Sequence, residues 1–187
     1  MITLIIHPQD DSTEFLKEIY KDLPDTIVVN YDISKNDLIS LLNICDRVMM
    51  LGHGCQYGLF DTTRTGCIIA QDIADMLRSK ICIGIWCYAS DFAKANNLHG
   101  LWSGMYISEI SEIDTVPEIK DRVKCIDVPS ILAAIETSNA RFVSLLGHCL
   151  FNHIPLDTIA ERYEQASGNT YGVNVFQRYN YKHIEYL

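Results

Sequence analysis

Two side chains that can do chemistry together follow predicted strands of this sequence. His53 follows the apolar run 47–51, and Cys87, 34 positions later, follows the apolar run 81–86. A thiol with an ordinary pKa near ~8.5 is mostly protonated at neutral pH, so a nucleophilic cysteine needs a base or a cationic neighbour. An imidazole can be either. If the two strands are neighbours in one sheet, the pair predicts a cysteine nucleophile with a histidine base.

The glycine that follows the histidine has a use in such chemistry. Gly54 has no side chain, so its backbone N–H can closely approach a reacting carbonyl group. Together with the N–H of Cys87, it would form an oxyanion hole. The Gly-His-Gly sequence at 52–54 is not a dinucleotide-binding fingerprint, because the third glycine and the acidic residue ~20 positions further on are missing.

An alternation of strands and helices places both residues at one edge of a predicted sheet. Short apolar runs predict strands at 2–6, 26–31, 47–51, 81–86 and 101–107, and apolar spacings of three and four predict helices between them. Asp11 or Ser12 is the expected cap of the first helix, and Ser34 that of the second. The alternation predicts a three-layer α/β sandwich with a mainly parallel sheet. Binding crevices in such folds lie at the carboxyl ends of the strands.

The remaining segments complete a predicted single domain over 1–187, with its core in 1–110 and helices and a possible edge strand in 111–187. The segments 58–60 and 67–69 flank a polar turn and predict a β-hairpin. The stretch 109–128 has no clear periodicity and is expected to be a connection, with a possible short strand. Ser130 is the expected cap of a helix that runs to about 150, and a further helix starts at Pro155. The aromatic tail 171–181 is a candidate edge strand.

At the two strand ends the sequence resembles the caspase-like cysteine peptidases, the superfamily that includes caspases, legumain, gingipain and separase. The matching segments are MMLGHG at 49–54 and IGIWC at 83–87, and the resemblance covers roughly residues 1–110. It implies a parallel-sheet α/β sandwich in which His53 is the general base, Cys87 is the nucleophile and Gly54 is an oxyanion donor. The implied substrate is a peptide or protein, and neither a metal nor an organic cofactor is needed.

The resemblance has clear departures next to the cysteine. Trp86 and Tyr88 flank Cys87, whereas caspases have small residues there that help to open the pocket. The pocket therefore has a different shape or is closed. This favours, as an alternative, a catalytically inactive caspase-like domain that binds a peptide or protein partner. A Rossmann-like binder of a small metabolite is a third, weaker alternative.

Three residues are candidates for the rim of a substrate pocket. His7 follows the first strand, Asp10 comes shortly after it, and Asp61 lies in the predicted hairpin. A negative rim would favour substrates that carry Lys or Arg beside the scissile bond. The alternatives are an edge histidine with satisfied hydrogen bonds and a solvated acidic surface.

Composition excludes several classes of protein. With 15 basic and 24 acidic residues the formal charge is −9, which argues against a nucleic-acid partner. No apolar run approaches the ~20 residues of a membrane helix, and no signal-peptide pattern is present, so a cytoplasmic protein is expected. The seven cysteines include no CxxC pair and give no disulfide framework. Cys149 and His153 are four positions apart, but Pro155 follows closely and no further ligand is near, so no metal site is predicted.

Overall fold

The computed structural model describes residues 1–168 and 172–187. Two of its helices are 3₁₀ helices, Asp11–Ile19 and Ile110–Thr115. The strands are β1 Thr3–Ile6, β2 Thr26–Val29, β3 Arg47–Leu51, β4 Gly54–Cys55, β5 Gly58–Phe60, β6 Cys67–Ile69, β7 Ile81–Ile85, β8 Gly100–Ser103 and β9 Ile184–Tyr186. The α-helices are α1 Lys35–Ile44, α2 Gln71–Leu77, α3 Ala89–Asn96, α4 Pro117–Val123, α5 Val128–Phe151, α6 Leu156–Gly168 and α7 Val175–Lys182.

The main sheet is mixed and mainly parallel, which confirms the predicted α/β class. Its strand order is β2-β1-β3-β7-β8-β9, in which the first five strands run parallel and β9 runs antiparallel to β8. Strands β3 and β7 pair directly, from Arg47 with Ile81 to Leu51 with Ile85. The predicted strands that precede His53 and Cys87 are therefore neighbours.

Side chains of the central strands alternate between two apolar cores, because successive residues of a strand point to opposite faces. Met50 lies in one core with residues of α1, α2 and α3. Met49 and Leu51 lie in the other core with residues of the first 3₁₀ helix, α5 and α6. Helices thus cover both faces of the sheet, an arrangement compatible with a three-layer sandwich.

The predicted hairpin is confirmed and is part of a small second sheet. Strands β4, β5 and β6 form it in that order, with antiparallel pairing. Asp61 shapes the turn between β5 and β6: its Oδ1 accepts hydrogen bonds from the backbone N–H groups of Thr63 at 3.0 Å and Thr65 at 3.1 Å. The first strand of this small sheet, β4, begins immediately after His53, so the small sheet sets the direction in which the chain leaves the site.

Two predicted segments differ from the structure. The stretch 109–128 contains the second 3₁₀ helix and α4 rather than a short strand, because it supplies a third small apolar cluster with residues such as Ile113 and Ile119. The tail folds as α7 rather than as an edge strand, and the edge strand is β9, a few residues later. Tyr171, the first residue of the predicted tail strand, lies outside the described residues.

Two helix caps were assigned to the wrong residue. Asp10, rather than Asp11 or Ser12, caps the first 3₁₀ helix, and it accepts a hydrogen bond from the N–H of Ser12. Asp127, rather than Ser130, caps α5. Both errors have the same cause, since Ser and Asp are equally good caps and the sequence places them close together.

Ser34 caps α1 as predicted, and its removal has a measurable expected cost. Its Oγ accepts a hydrogen bond from the Asp37 N–H at 3.2 Å. We expect Ser34→Ala to lower the free energy of unfolding by about 1 kcal/mol in urea titrations, since an N–H of the first turn loses its partner. Ser40→Ala, at an exposed position within the same helix, is the control and should cost less than about 0.5 kcal/mol. Equal losses in the two variants would contradict the cap assignment.

Within the described ranges, 1–168 and 172–187, none of the helices has the length and apolar character needed to cross a membrane.

Candidate active site

The histidine leaves the sheet at the carboxyl end of β3 and is held at the switch between β1 and β3. The order β2-β1-β3-β7-β8 reverses direction at this point, and ligands of open α/β sheets bind in the crevice that such a reversal creates. The His53 side chain is 13% exposed. Its Nε2 lies 2.7 Å from the Oγ of Ser12, which belongs to the first 3₁₀ helix.

A chain of hydrogen bonds fixes the His53 ring. The Ser12 hydroxyl donates to Asp10 Oδ1 at 2.7 Å, so its oxygen is left to accept the proton on His53 Nε2. This assigns Nε2 as the protonated nitrogen of the neutral ring and leaves the lone pair on Nδ1. Ser12 was predicted only as a helix cap, and its contact with a residue 41 positions away has no signature in the sequence.

Asp10 is ionised at the end of this chain. Partial burial opposes ionisation, but hydrogen bonds from Ser12 and Arg64 outweigh it and lower the pKa of Asp10 from 3.8 to about 2. Arg64, in the hairpin turn, donates from Nε at 3.0 Å and from Nη2 at 2.5 Å. Asp10 therefore joins the hairpin to the loop after β1, and much of its charge is already compensated.

Cys87 lies at the carboxyl end of β7 and is partly buried. Its Sγ donates to the Tyr106 carbonyl oxygen and to Glu112 Oε1, both at 3.4 Å. Burial, with the negative charge of Glu112 as the second cause, raises the pKa of the Cys87 thiol from 9.0 to about 12. The next residue, Tyr88, has a left-handed backbone with φ of 68°. With its pKa raised to about 12, the Cys87 thiol is protonated at neutral pH.

The histidine and the cysteine line the same small cleft, which is nearly filled. The cleft has a volume of about 10 Å³ and is lined by His53 and Cys87 together with Glu112, Ser108 and Tyr106, among others. Over the part of the chain that the structure describes, no hydrogen bond joins the His53 ring to Cys87. The two side chains thus share one site, and Glu112 contacts the thiol within it.

Two glutamates complete the site, and neither was predicted. Glu109 and Glu112 pair in the manner of a capping box at the start of the second 3₁₀ helix: the Glu112 carboxylate accepts the Glu109 N–H at 3.0 Å, and the Glu112 N–H donates to the backbone carbonyl oxygen of Glu109 at 3.3 Å. One ligand atom from each carboxylate and one from His53 lie within 4.8 Å of one another. This pairing has little signature in the sequence, because the usual capping box starts with Ser or Thr rather than Glu.

The structure gives Gly54 a packing role next to Trp86. A Cβ added at Gly54 would lie 2.3 Å from Trp86 Cδ1 and 2.5 Å from the Gly58 carbonyl oxygen. Trp86 is 1% exposed and donates from Nε1 to the Cys55 carbonyl oxygen at 3.0 Å. Trp86 therefore packs against the small sheet, and it also lines the cleft beside Cys87. The oxyanion role of Gly54 stays a prediction.

Of the three predicted rim residues, the structure brings Asp10 to the site and places His7 and Asp61 elsewhere. His7 is 2% exposed, with Nδ1 3.0 Å from Tyr20 Oη and Nε2 3.4 Å from Thr13 Oγ1. It is an interior histidine with satisfied hydrogen bonds, as one of the two interpretations of its position expected. Asp61 organises the hairpin turn. Asp10 reaches the site, where its Oδ1 lies 3.8 Å from His53 Nε2.

Comparison of the chain with protein-family models, curated proteins and solved structures gives no significant match.

Proposed function

We propose that this chain is a cysteine endopeptidase with a caspase-like three-layer fold, in which Cys87 is the nucleophile and His53 the general base. One observation supports this more than any other: β3 and β7 pair directly, and the residues that follow them line one cleft. The cleft is at the carboxyl edge of the sheet, where α/β folds bind their ligands. The proposed substrate is a peptide or a protein.

In the proposed reaction His53 accepts a proton and later returns it, and Cys87 is first acylated and then released. The Nδ1 of His53 takes the thiol proton, the sulfur of Cys87 bonds to the peptide carbonyl carbon, and the C=O electron pair moves onto the oxygen. N–H groups of Gly54 and Cys87 stabilise that oxyanion. The C–N bond then breaks as His53 returns the proton to the leaving amine. Water, deprotonated by His53, hydrolyses the thioester and restores the thiol.

In this proposal the present arrangement is a resting state of the enzyme. The thiol donates to Glu112 rather than to His53, and a cleft of about 10 Å³ has no room for a peptide. Substrate binding or a partner has to displace the segment that carries Glu112 before the proton can reach His53. The hydrogen bonds from Ser12 to His53 and Asp10 keep the base oriented during this change.

Covalent labelling tests the proposal. A peptidyl acyloxymethyl ketone is expected to modify Cys87, as identified by mass spectrometry of the digested protein. Cys67 and Cys125 are exposed and would react non-specifically, so both are first replaced by serine. His53→Ala should slow the labelling of Cys87 at neutral pH by roughly 100-fold, the lower end of what a positioned base contributes.

An exposed histidine provides the matched control for this experiment. His99→Ala removes an imidazole outside the site and should leave the rate unchanged. If Cys87 is labelled slowly, and at the same rate in wild type and in His53→Ala, the result would count against the peptidase.

The second candidate function is a catalytically silent domain that binds a peptide or protein partner at the same edge of the sheet. It is favoured by the hydrogen bonds of the Cys87 thiol to Tyr106 and Glu112, which satisfy the sulfur without any histidine. In that case the partner should bind to wild type and to Cys87→Ala with equal affinity, and no cleavage product should form.

A further inference from the structure

The cluster formed by His53, Glu109 and Glu112 has the composition of a metal site. One imidazole nitrogen and two carboxylate oxygens lie within 4.8 Å of one another, and all three residues are partly buried. They come from two separate parts of the fold, the carboxyl end of β3 and the start of the second 3₁₀ helix. Imidazole and carboxylate together are the ligand set of many zinc sites.

Hydrogen bonds on the far side of Glu112 and of His53 already orient these two ligands. Glu112 Oε2 accepts from the N–H and hydroxyl of Ser108 at 2.6 and 3.1 Å and from the Glu109 N–H at 3.0 Å. Among the residues described, the partner of its Oε1 is the Cys87 thiol, at 3.4 Å. His53 is similarly held through Nε2 by Ser12. Outer hydrogen bonds of this kind orient the ligands of metal sites.

The two glutamates also lack a basic partner within the described part of the chain. Among the residues that the structure describes, neither Glu109 nor Glu112 forms an ion pair with a lysine or arginine. Asp10, by contrast, has Arg64. Two partly buried carboxylates close to each other repel, and a divalent cation placed between them removes that repulsion.

We propose that His53 Nδ1, Glu109 and Glu112 Oε1 bind a zinc ion. A tetrahedral site with bonds of ~2.1 Å places its ligand atoms ~3.4 Å apart, so donors that lie within 4.8 Å of one another have to close by at most about 1.4 Å. Both glutamates belong to the second 3₁₀ helix or its N-cap, so this closure requires movement of their side chains and not of the sheet. The fourth position faces Cys87, whose sulfur is in contact with Glu112.

The site would control the proposed peptidase, and this consequence alone rests on the proposed function. Zinc bound to Nδ1 occupies the lone pair that His53 needs as a base. It also ties down Glu112, which has to leave the thiol before substrate can enter. A chelator should therefore raise the labelling rate of Cys87, and zinc should lower it.

Direct metal binding tests the site without any assay of activity. Zinc is titrated against a chromophoric indicator in the full chain carrying Cys67→Ser and Cys125→Ser, which removes exposed thiol ligands. We expect one tight zinc ion per chain. Glu109→Gln, Glu112→Gln and His53→Ala should each weaken it at least tenfold, since loss of even an outer partner costs 10–100-fold. Glutamine retains the capping hydrogen bonds, so the two Gln variants should keep the fold.

Two control variants separate this site from other ways of binding zinc. Glu118→Gln removes an exposed carboxylate on α4 and should leave the affinity unchanged. Cys87→Ala should keep the tight site, because the three proposed ligands do not include sulfur. The proposal is overturned if no tight zinc ion binds, if the three ligand variants bind it as wild type does, or if Cys87→Ala alone abolishes it. Tight binding without peptidase activity would leave the site in place and remove only the proposed function.

Discussion

Lowering the pH from about 7 to about 4 is expected to reduce the free energy of unfolding by about 3 kcal/mol through His7 alone. His7 is 2% exposed, and burial lowers its pKa from 6.5 to about 4. Between pH 6.5 and 4, His7 therefore binds a proton in the unfolded chain and stays neutral in the folded chain. The stabilisation from neutral His7 is complete above pH 6.5 and is lost progressively as the pH falls toward 4.

The charges that face His7 act in both directions and do not change the sign. Glu14 and Asp10 raise the pKa of the imidazole and Lys17 lowers it, as does the larger effect of burial. Tyr20 stays neutral over the whole range, because burial raises its pKa to about 12. The folded ring is thus neutral at physiological pH and bonded to Tyr20 and Thr13.

Chemical denaturation at a series of pH values measures this effect. His7→Gln has no titrating group, so its stability should change far less between pH 7 and pH 4 than that of wild type. His99→Gln, at an exposed histidine, should retain the wild-type dependence. Asp10 does not confuse the result, because its stabilising effect is lost only as the pH falls below 3.8 toward 2. Parallel curves for wild type and His7→Gln would contradict the prediction.

Trp86→Ala is expected to lower the free energy of unfolding by about 3–5 kcal/mol, the usual cost of removing a large buried aromatic side chain. The indole ring lies 5.8 Å from the ring of Phe92 and 5.9 Å from that of Trp102, measured between centroids. The ring packs against Gly54 and Gly84. A Cβ added at Gly54 would lie 2.3 Å from the indole ring, and one added at Gly84 would lie 2.7 Å from it. The cavity left behind cannot be filled by backbone atoms of the sheet.

Trp86→Phe is the matched variant, because it keeps much of the apolar volume while it lacks the indole N–H. The Cys55 carbonyl oxygen would lose its partner, at an expected cost of about 1–3 kcal/mol. Urea titration of both variants gives the comparison. A loss below about 1 kcal/mol for Trp86→Ala would show that this ring does not hold the small sheet onto β7.

Features with strictly local causes could be predicted from the sequence. Apolar runs identified the five parallel strands, and the strand pairing that joins His53 and Cys87 in one cleft follows from their order. Ser34 was recognised because a cap bonds within three residues of itself. The hairpin was recognised because its turn residues stand between two short apolar runs.

Features that depend on distant contacts could not be predicted. Ser12 meets His53 across 41 positions, and no periodicity encodes that contact. Glu109 and Glu112 lie in a stretch without clear apolar spacing, where a 3₁₀ helix of six residues leaves too short a pattern. His7 follows a strand, which suggests the rim of a crevice, but packing of the first 3₁₀ helix covers it.

The reversed direction of β9 has a consequence for association between chains. Leu187 and Gly100 exchange two backbone hydrogen bonds next to β9. The Leu187 N–H donates to the Gly100 carbonyl oxygen and the Gly100 N–H donates to the Leu187 carbonyl oxygen, each at 3.0 Å. The backbone groups of β8 are thereby shielded from strand exchange. On the opposite side of the sheet β2 is the outermost strand and exposes Val28. The free hydrogen-bonding groups of the described sheet therefore lie on the outer sides of β2 and β9, and the β2 side is three strands away from β7, which precedes Cys87.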